Sequence, residues 1–322
     1  MAIISCIRSN FGPSWGTGFN GFHSLNVSWE ELVWAAVTVG KPGLPYLFNH
    51  SWHSVSDIMV RMHMVYANLW QGANSYHKSS YYHALDPTEK AATSYFLGMM
   101  AAKIMADKVL GVPWLFHLSM LQPLGGTPSL IGKSSPDLIG LNGNHQWAVV
   151  EAKGRTNKFD SEAASKAKQQ TRQLRMINGN FPFVRVAVQS YFSPALEFAI
   201  DDPDEYDDNA VDFDGDVELA FRRYYSFVDT VTRASNDVRT IAGEQFAFRT
   251  FDETGLSIGL SRKTASQISS GQITTRRESL ADGNIEHSVR VFPDGIAISL
   301  DKRWSEDQMK IDVLDRTRLD NP

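Results

Sequence analysis

Between residues 135 and 153 the chain reads S-P-D-L-I-G-L-N-G-N-H-Q-W-A-V-V-E-A-K. A short apolar run meets the turn dipeptide Asn142-Gly143, and a second apolar run follows, ending in Glu151-Ala152-Lys153. The pattern predicts two strands joined by a tight hairpin. Strand side chains alternate, so Glu151 and Lys153 share one face and Ala152 takes the other. Pairing across the hairpin then brings Asp137, at the start of the first strand, near Glu151 at the end of the second. The flanks carry helical and extended patterns in turn. Asp86-Pro87-Thr88-Glu89 supplies a cap, a proline at the first helical position and an acid at the third, predicting a helix over 86–110 that stops at Gly111-Val112-Pro113. Residues 114–121 read as a first core strand and 183–191 as a further buried one. Between them, Ala164, Ala167, Thr171 and Leu174 make an apolar stripe that predicts a helix over 161–176.

The first 84 residues read as a helical extension. Ser28 and Glu31 form a capping box ahead of an apolar run, and a Met- and Trp-rich helix starts near Ser54 or Ser56. Six of the nine histidines fall here, including the pair His50-x-x-His53. That pair lacks partners at a recognised metal-ligand spacing, so packed, hydrogen-bonded histidines are expected instead. Residues 201–322 read as an acidic loop followed by an α+β extension. It contains a helix over 219–233, a strand over 255–260 and a hairpin across Phe292-Pro-Asp-Gly295.

Composition is that of an ordinary globular protein, with 43% apolar and 21% charged residues. A formal net charge of −5 argues against a globally basic, histone-like binder, so any polyanion contact must come from a local patch. One such patch exists. Residues 153–185 hold eight Lys or Arg against Asp160 and Glu162, and Arg155, Lys158, Lys166, Lys168 and Arg172 are its candidate phosphate contacts. Arg262, Lys263, Arg276 and Arg277 offer an extension of that track. The lone Cys6 rules out an intramolecular disulfide and a cysteine zinc cluster, and fits a reducing cytoplasm. No run approaches eighteen apolar residues, so no membrane partner is expected. Residues 201–218 contain ten acidic side chains and are expected to form a solvated loop. Within them Asp212-Phe-Asp214-Gly-Asp216 lacks the spacing and terminal Glu of a calcium loop.

The chemistry concentrates at Asp137, Glu151 and Lys153. Two carboxylates supply the hard oxygen ligands that Mg²⁺ or Mn²⁺ prefers, and an adjacent ammonium orients water and offsets developing negative charge. Pro136-Asp137, a hairpin-length spacer and Glu151-Ala152-Lys153 resemble the PD-(D/E)xK nuclease superfamily, the restriction-endonuclease-like fold, over roughly residues 85–191. The resemblance implies an α/β core at 85–200, a mixed central sheet flanked by helices. It also implies metal-dependent hydrolysis of phosphodiesters in DNA, with RNA left open, in bacterial or phage restriction or defence. Asp137 and Glu151 then look like metal ligands together with the Ala152 carbonyl, and Lys153 like the water-positioning lysine. Gln170, on the following helix, is expected to face the site. Glu89 either joins the metal site from the preceding helix or only completes its cap, and Asp107 is the weaker alternative. A single-site subunit that cuts both strands implies a homodimer. A nucleic-acid-binding or scaffold protein with this fold and no turnover is the alternative.

Overall fold

The computed structural model describes residues 1–39, 52–121, 124, 135–202, 205–252, 254–270 and 289–304. The chain opens with strands β1 (Ala2–Ser9) and β2 (Gly21–Val27) and helices α1 (Trp29–Thr38) and α2 (Trp52–Asn68). A small ribbon of β3 (Leu69–Gln71) and β4 (Tyr76–Lys78) leads to α3 (Ser80–Ala84) and the long α4 (Pro87–Leu110). Next come β5 (Trp114–His117), β6 (Leu138–Leu141), β7 (Trp147–Gly154), α5 (Ser161–Thr171), β8 (Leu174–Ile177), β9 (Val184–Phe192) and β10 (Leu196–Asp201). After β11 (Val211–Phe213) and α6 (Val217–Thr232), the chain ends in β12 (Asp237–Ile241), β13 (Glu244–Phe251), β14 (Leu256–Ser261), α7 (Arg262–Ser270), β15 (Val289–Val291) and β16 (Ile296–Leu300).

The fold is mixed α/β, built on a seven-stranded sheet in the order β2-β1-β10-β9-β7-β6-β5. Strands β5, β6 and β7 form an antiparallel meander, and β7 then pairs parallel with β9. Every residue of β9 is buried, as the continuous apolar run V-R-V-A-V of a central strand requires. Helix α4 begins with the expected box: the Asp86 side chain accepts from the Thr88 and Glu89 amides, and the Glu89 carboxylate accepts from the Asp86 amide. Ser28 and Glu31 make the same reciprocal pair at the start of α1.

Three expectations are corrected. Residues 1–84 are not purely helical, because β1 pairs parallel with β10 and antiparallel with β2, extending the central sheet. Along β1 the even positions Ala2, Ile4 and Cys6 are buried while Ile3 and Ser5 are exposed, the period of a half-covered strand. The helix expected over 161–176 stops at Thr171, since Leu174–Ile177 forms β8 and pairs with β11 of the acidic segment. That segment is therefore not a free loop: β11 is a strand, and Asp216 caps α6 by accepting from the Leu219 amide at 2.9 Å. His50, Arg276 and Arg277 lie outside the described residues, and His23 and His77 are hydrogen-bonded to Phe19 O and Ser75 Oγ.

A second, five-stranded antiparallel sheet, β12-β13-β14-β16-β15, carries the C-terminal part. One apolar cluster runs through both sheets, from Ile4 and Trp34 through Phe116 and Phe198 to Phe227 and Ile258. A buried polar network crosses it. Lys103 on α4, with no exposed surface, donates to the Tyr224 hydroxyl at 2.7 Å, and Tyr224 donates to Asp294 Oδ2 at 2.6 Å. Trp34 Nε1 reaches the same oxygen at 2.9 Å, so α1, α6 and the β15–β16 turn meet on one carboxylate, with α4 joined to it through Tyr224.

Candidate metal centre

Residues Trp147 to Val150 are apolar and fully buried, which fixes β7 as an interior strand. Glu151 continues that strand, so its carboxylate enters the same closed environment, with no exposed surface. The register sets Leu138 opposite Val150, and one step further the Asp137 amide donates to Glu151 Oε2 at 2.8 Å. The Lys153 ammonium bonds the other carboxylate oxygen, Glu151 Oε1. The Asp137 backbone amide and the Lys153 ammonium thus meet on the Glu151 carboxylate, just before β6 and near the end of β7. Burial, and then the like charge of Asp137, push Glu151 up to about 7, with Lys153 opposing the shift.

The donor chemistry fits a hard divalent cation. Asp137 and Glu151 present carboxylate oxygens, and the Ala152 carbonyl lies between the two functional residues of β7, while the Ala152 side chain takes the opposite face. Among the described residues no group of three or more His, Cys, Asp or Glu side chains is assembled to hold a metal. Carboxylate and backbone carbonyl oxygens are hard donors of the kind Mg²⁺ and Mn²⁺ prefer.

Behind the site, α4 seats directly on the end of β7. A Cβ built on Gly154 would lie 1.6 Å from the Ser94 carbonyl oxygen, and one on Gly98 would lie 2.6 Å from the Gly154 nitrogen. Glycine is required at both positions by this backbone approach, which fixes the strand next to Lys153. Helix α5 lies on the other face, where Lys153, Ala164 and Ala167 line a common groove.

Gln170 and Glu89 part company here. Gln170 Nε2 points to the Ser135 carbonyl at 3.5 Å, two residues ahead of Asp137, so it supports the approach to β6 and not the carboxylates themselves. Glu89 is exposed and its carboxylate is taken by the Asp86 amide, so it belongs to the cap and not to the centre. Asp107, near the far end of α4, is raised to about 6 by burial within the polar network of Lys103 and Asp294. Sequence reasoning missed Tyr95. Its phenol is raised by burial and then by the charge of Asp137, with Arg61 opposing and Glu151 adding to the shift.

The basic patch is largely engaged within the chain. Arg155 pairs with Asp160 at 2.9 Å, Lys166 with Glu162 at 2.7 Å, Lys168 with Asp201 at 2.7 Å and Arg172 with Asp207 at 3.1 Å. Arg175 pairs with Asp212 at 2.5 Å, whereas Lys158 is exposed. Three of these partners come from the acidic segment.

No family model, curated protein or solved structure matches this chain. No helix among the described residues is long and apolar enough to cross a membrane.

Proposed function

We propose that this chain is a divalent-metal-dependent nuclease with a restriction-endonuclease-like, PD-(D/E)xK core, hydrolysing phosphodiester bonds in DNA in bacterial or phage defence in the cytoplasm. The observation that carries this reading is the fully buried Glu151 carboxylate. It is shared between the Asp137 amide and the Lys153 ammonium, and burial and then the charge of Asp137 push it up to about 7. When bound, Mg²⁺ or Mn²⁺ supplies polarisation of a phosphoryl oxygen and a lowered pKa for water. Asp137, Glu151 and the Ala152 carbonyl hold that position. Lys153 orients the attacking water and offsets charge as the phosphorus–oxygen bond breaks and the leaving oxygen takes up a proton. Gln170 steadies the strand that delivers Asp137. Plasmid cleavage with Mg²⁺ tests the proposal: wild type nicks, while Asp137→Ala and Lys153→Ala do not. Equal nicking by all three removes this site from the mechanism.

A second reading, a binding or scaffold protein without turnover, draws on the ion pairs that occupy the basic patch. Metal-independent DNA binding unaffected by Glu151→Gln, with no cleavage by wild type, identifies it.

A further inference from the structure

Among the described residues the α5 face of the central sheet is only half covered. Helix α5 lies across β7 and β9, and beyond it no described helix lies over β10, β1 and β2, where Ile3 is 44% and Phe22 85% exposed. Cross-strand register links Lys153 to Gln189, Gln189 to Ala199, Ala199 to Ile7 and Ile7 to Phe22. Directly paired residues point to the same face, and neighbouring strands sit about 4.8 Å apart, so this row runs roughly 19 Å from Lys153 to Phe22. Along it lies a groove of about 540 Å³, walled on one side by Ala164 and Ala167 of α5 and by Phe159.

Three properties of the groove select its ligand. It begins at the candidate centre, since Lys153 belongs to both; among the described residues lining it Lys153 is the only cation, and the one carboxylate, Asp201, is paired with Lys168 at 2.7 Å. Its middle is shallow-sided and apolar: alanines at 164, 167, 187 and 199 leave a slot suited to a flat ring. Gln189 cannot read an edge there, because its amide is spent on the Asp160 backbone at 2.8 and 3.0 Å. Its walls carry aromatic rings open to water, Phe22 at the far end and Phe159, which is 45% exposed and braced edge-on against Tyr191 at 5.6 Å. A cation at one end and beyond it an apolar slot edged by exposed aromatic rings match a phosphate and the unpaired base that follows it. A duplex keeps its bases inside the stack and offers such a slot only backbone.

We infer that this groove seats an unpaired base of the strand held at the centre, so that the substrate is single-stranded DNA or a frayed end and not intact duplex. The stacking is indifferent to base identity, as it is on other aromatic platforms for single strands. The inference rests on the nuclease reading for the word substrate, but the binding itself is measurable without turnover.

The test is fluorescence anisotropy in EDTA with a labelled oligothymidylate and a duplex of the same length. Wild type, Phe22→Ala, Phe22→Trp, Phe159→Ala and Glu151→Gln are compared. Wild type is expected to bind the single strand more tightly than the duplex. Each alanine variant loses about tenfold in single-strand affinity with duplex affinity unchanged, and Phe22→Trp restores it. Glu151→Gln binds at least as tightly as wild type, separating the groove from the chemistry. Because Phe22 is so exposed, its alanine variant keeps the wild-type melting temperature. Wild-type affinity in the alanine variants, or equal affinity for duplex, overturns the inference. So does a shift from dimer to monomer on Phe22→Ala in sedimentation, which gives the groove to a second copy of the chain. Phe-dependent binding with no cleavage by wild type sinks the nuclease reading alone.

Discussion

The backbone amide of Asp137 donates to the buried carboxylate of Glu151 over 2.8 Å, so the residue just ahead of β6 fixes the acid of β7. Burial of that carboxylate and the charge of Asp137 set a pH dependence. Glu151 rises from an ordinary 4.5 to about 7, so between those values the folded chain keeps a proton that the unfolded chain has released. Its contribution to stability is therefore present below about pH 4.5 and is lost as pH climbs through about 7. In EDTA, the wild-type melting temperature should fall more between pH 5 and pH 8 than that of Glu151→Gln. Mg²⁺ should raise the wild-type value more at pH 8 than at pH 6 and leave the variant unchanged. Parallel pH profiles for the two proteins in EDTA contradict the assignment.

The acidic segment sets a second expectation. Asp207 and Asp212 hold Arg172 and Arg175, cations that lie on and just after the basic helix. Both pairs are half-exposed and contribute little to stability, so removing them mainly frees charge. The double variant Asp207→Asn with Asp212→Asn should bind single-stranded DNA more tightly at low salt. Its plot of log affinity against log salt should steepen by about 0.7 per freed cation. Unchanged affinity and slope in a titration from low to physiological salt would show that the segment does not compete with phosphate.

A third prediction concerns the buried network. The Asp294 side chain takes hydrogen bonds from Trp34, Tyr224 and the Ile296 amide, and the Lys103 ammonium stands one hydroxyl away. Burial lowers Lys103 to about 8 while Asp294 and Asp107 oppose the shift. Asp294→Ala strands several buried donors and is expected to cost about 3–5 kcal/mol in urea denaturation. Lys166→Ala, which breaks only a solvent-exposed pair, should stay within about 0.5 kcal/mol. Comparable losses for the two would mean that the network does not join the sheets.

Backbone approach and chemistry separate cleanly at neighbouring positions. Gly154→Ala drives a methyl group into the Ser94 carbonyl and should cost at least about 3 kcal/mol, read as a large drop in melting temperature. Lys153→Ala leaves that backbone approach intact and should lose cleavage.

What the sequence made legible was local. The hairpin carrying Asp137 and Glu151, with its Asn-Gly turn and apolar arms, and the capping boxes at Ser28 and Asp86 are specified within a few residues and appear in the structure. The failures were non-local. The alternation of Ala2, Ile4 and Cys6 is a strand signal, yet its partner β10 lies nearly two hundred residues away. Likewise Leu174 continued the apolar stripe of α5 by spacing, but pairing with Val211 of the acidic segment overrode helical propensity. Glu89 shows the opposite limit: its spacing on the helix was compatible with the site and with the cap, and only the hydrogen bond to the Asp86 amide decides for the cap. The engaged state of the basic patch was equally invisible, because Asp201, Asp207 and Asp212 reach it only after the chain has folded back.

The most direct test of the central claim is a crystal soaked in Mn²⁺ and examined by anomalous scattering. The account predicts one strong peak within coordinating distance of carboxylate oxygens from both Asp137 and Glu151, absent in Glu151→Gln. A wild-type crystal with no peak there, or with manganese bound only elsewhere, would contradict it.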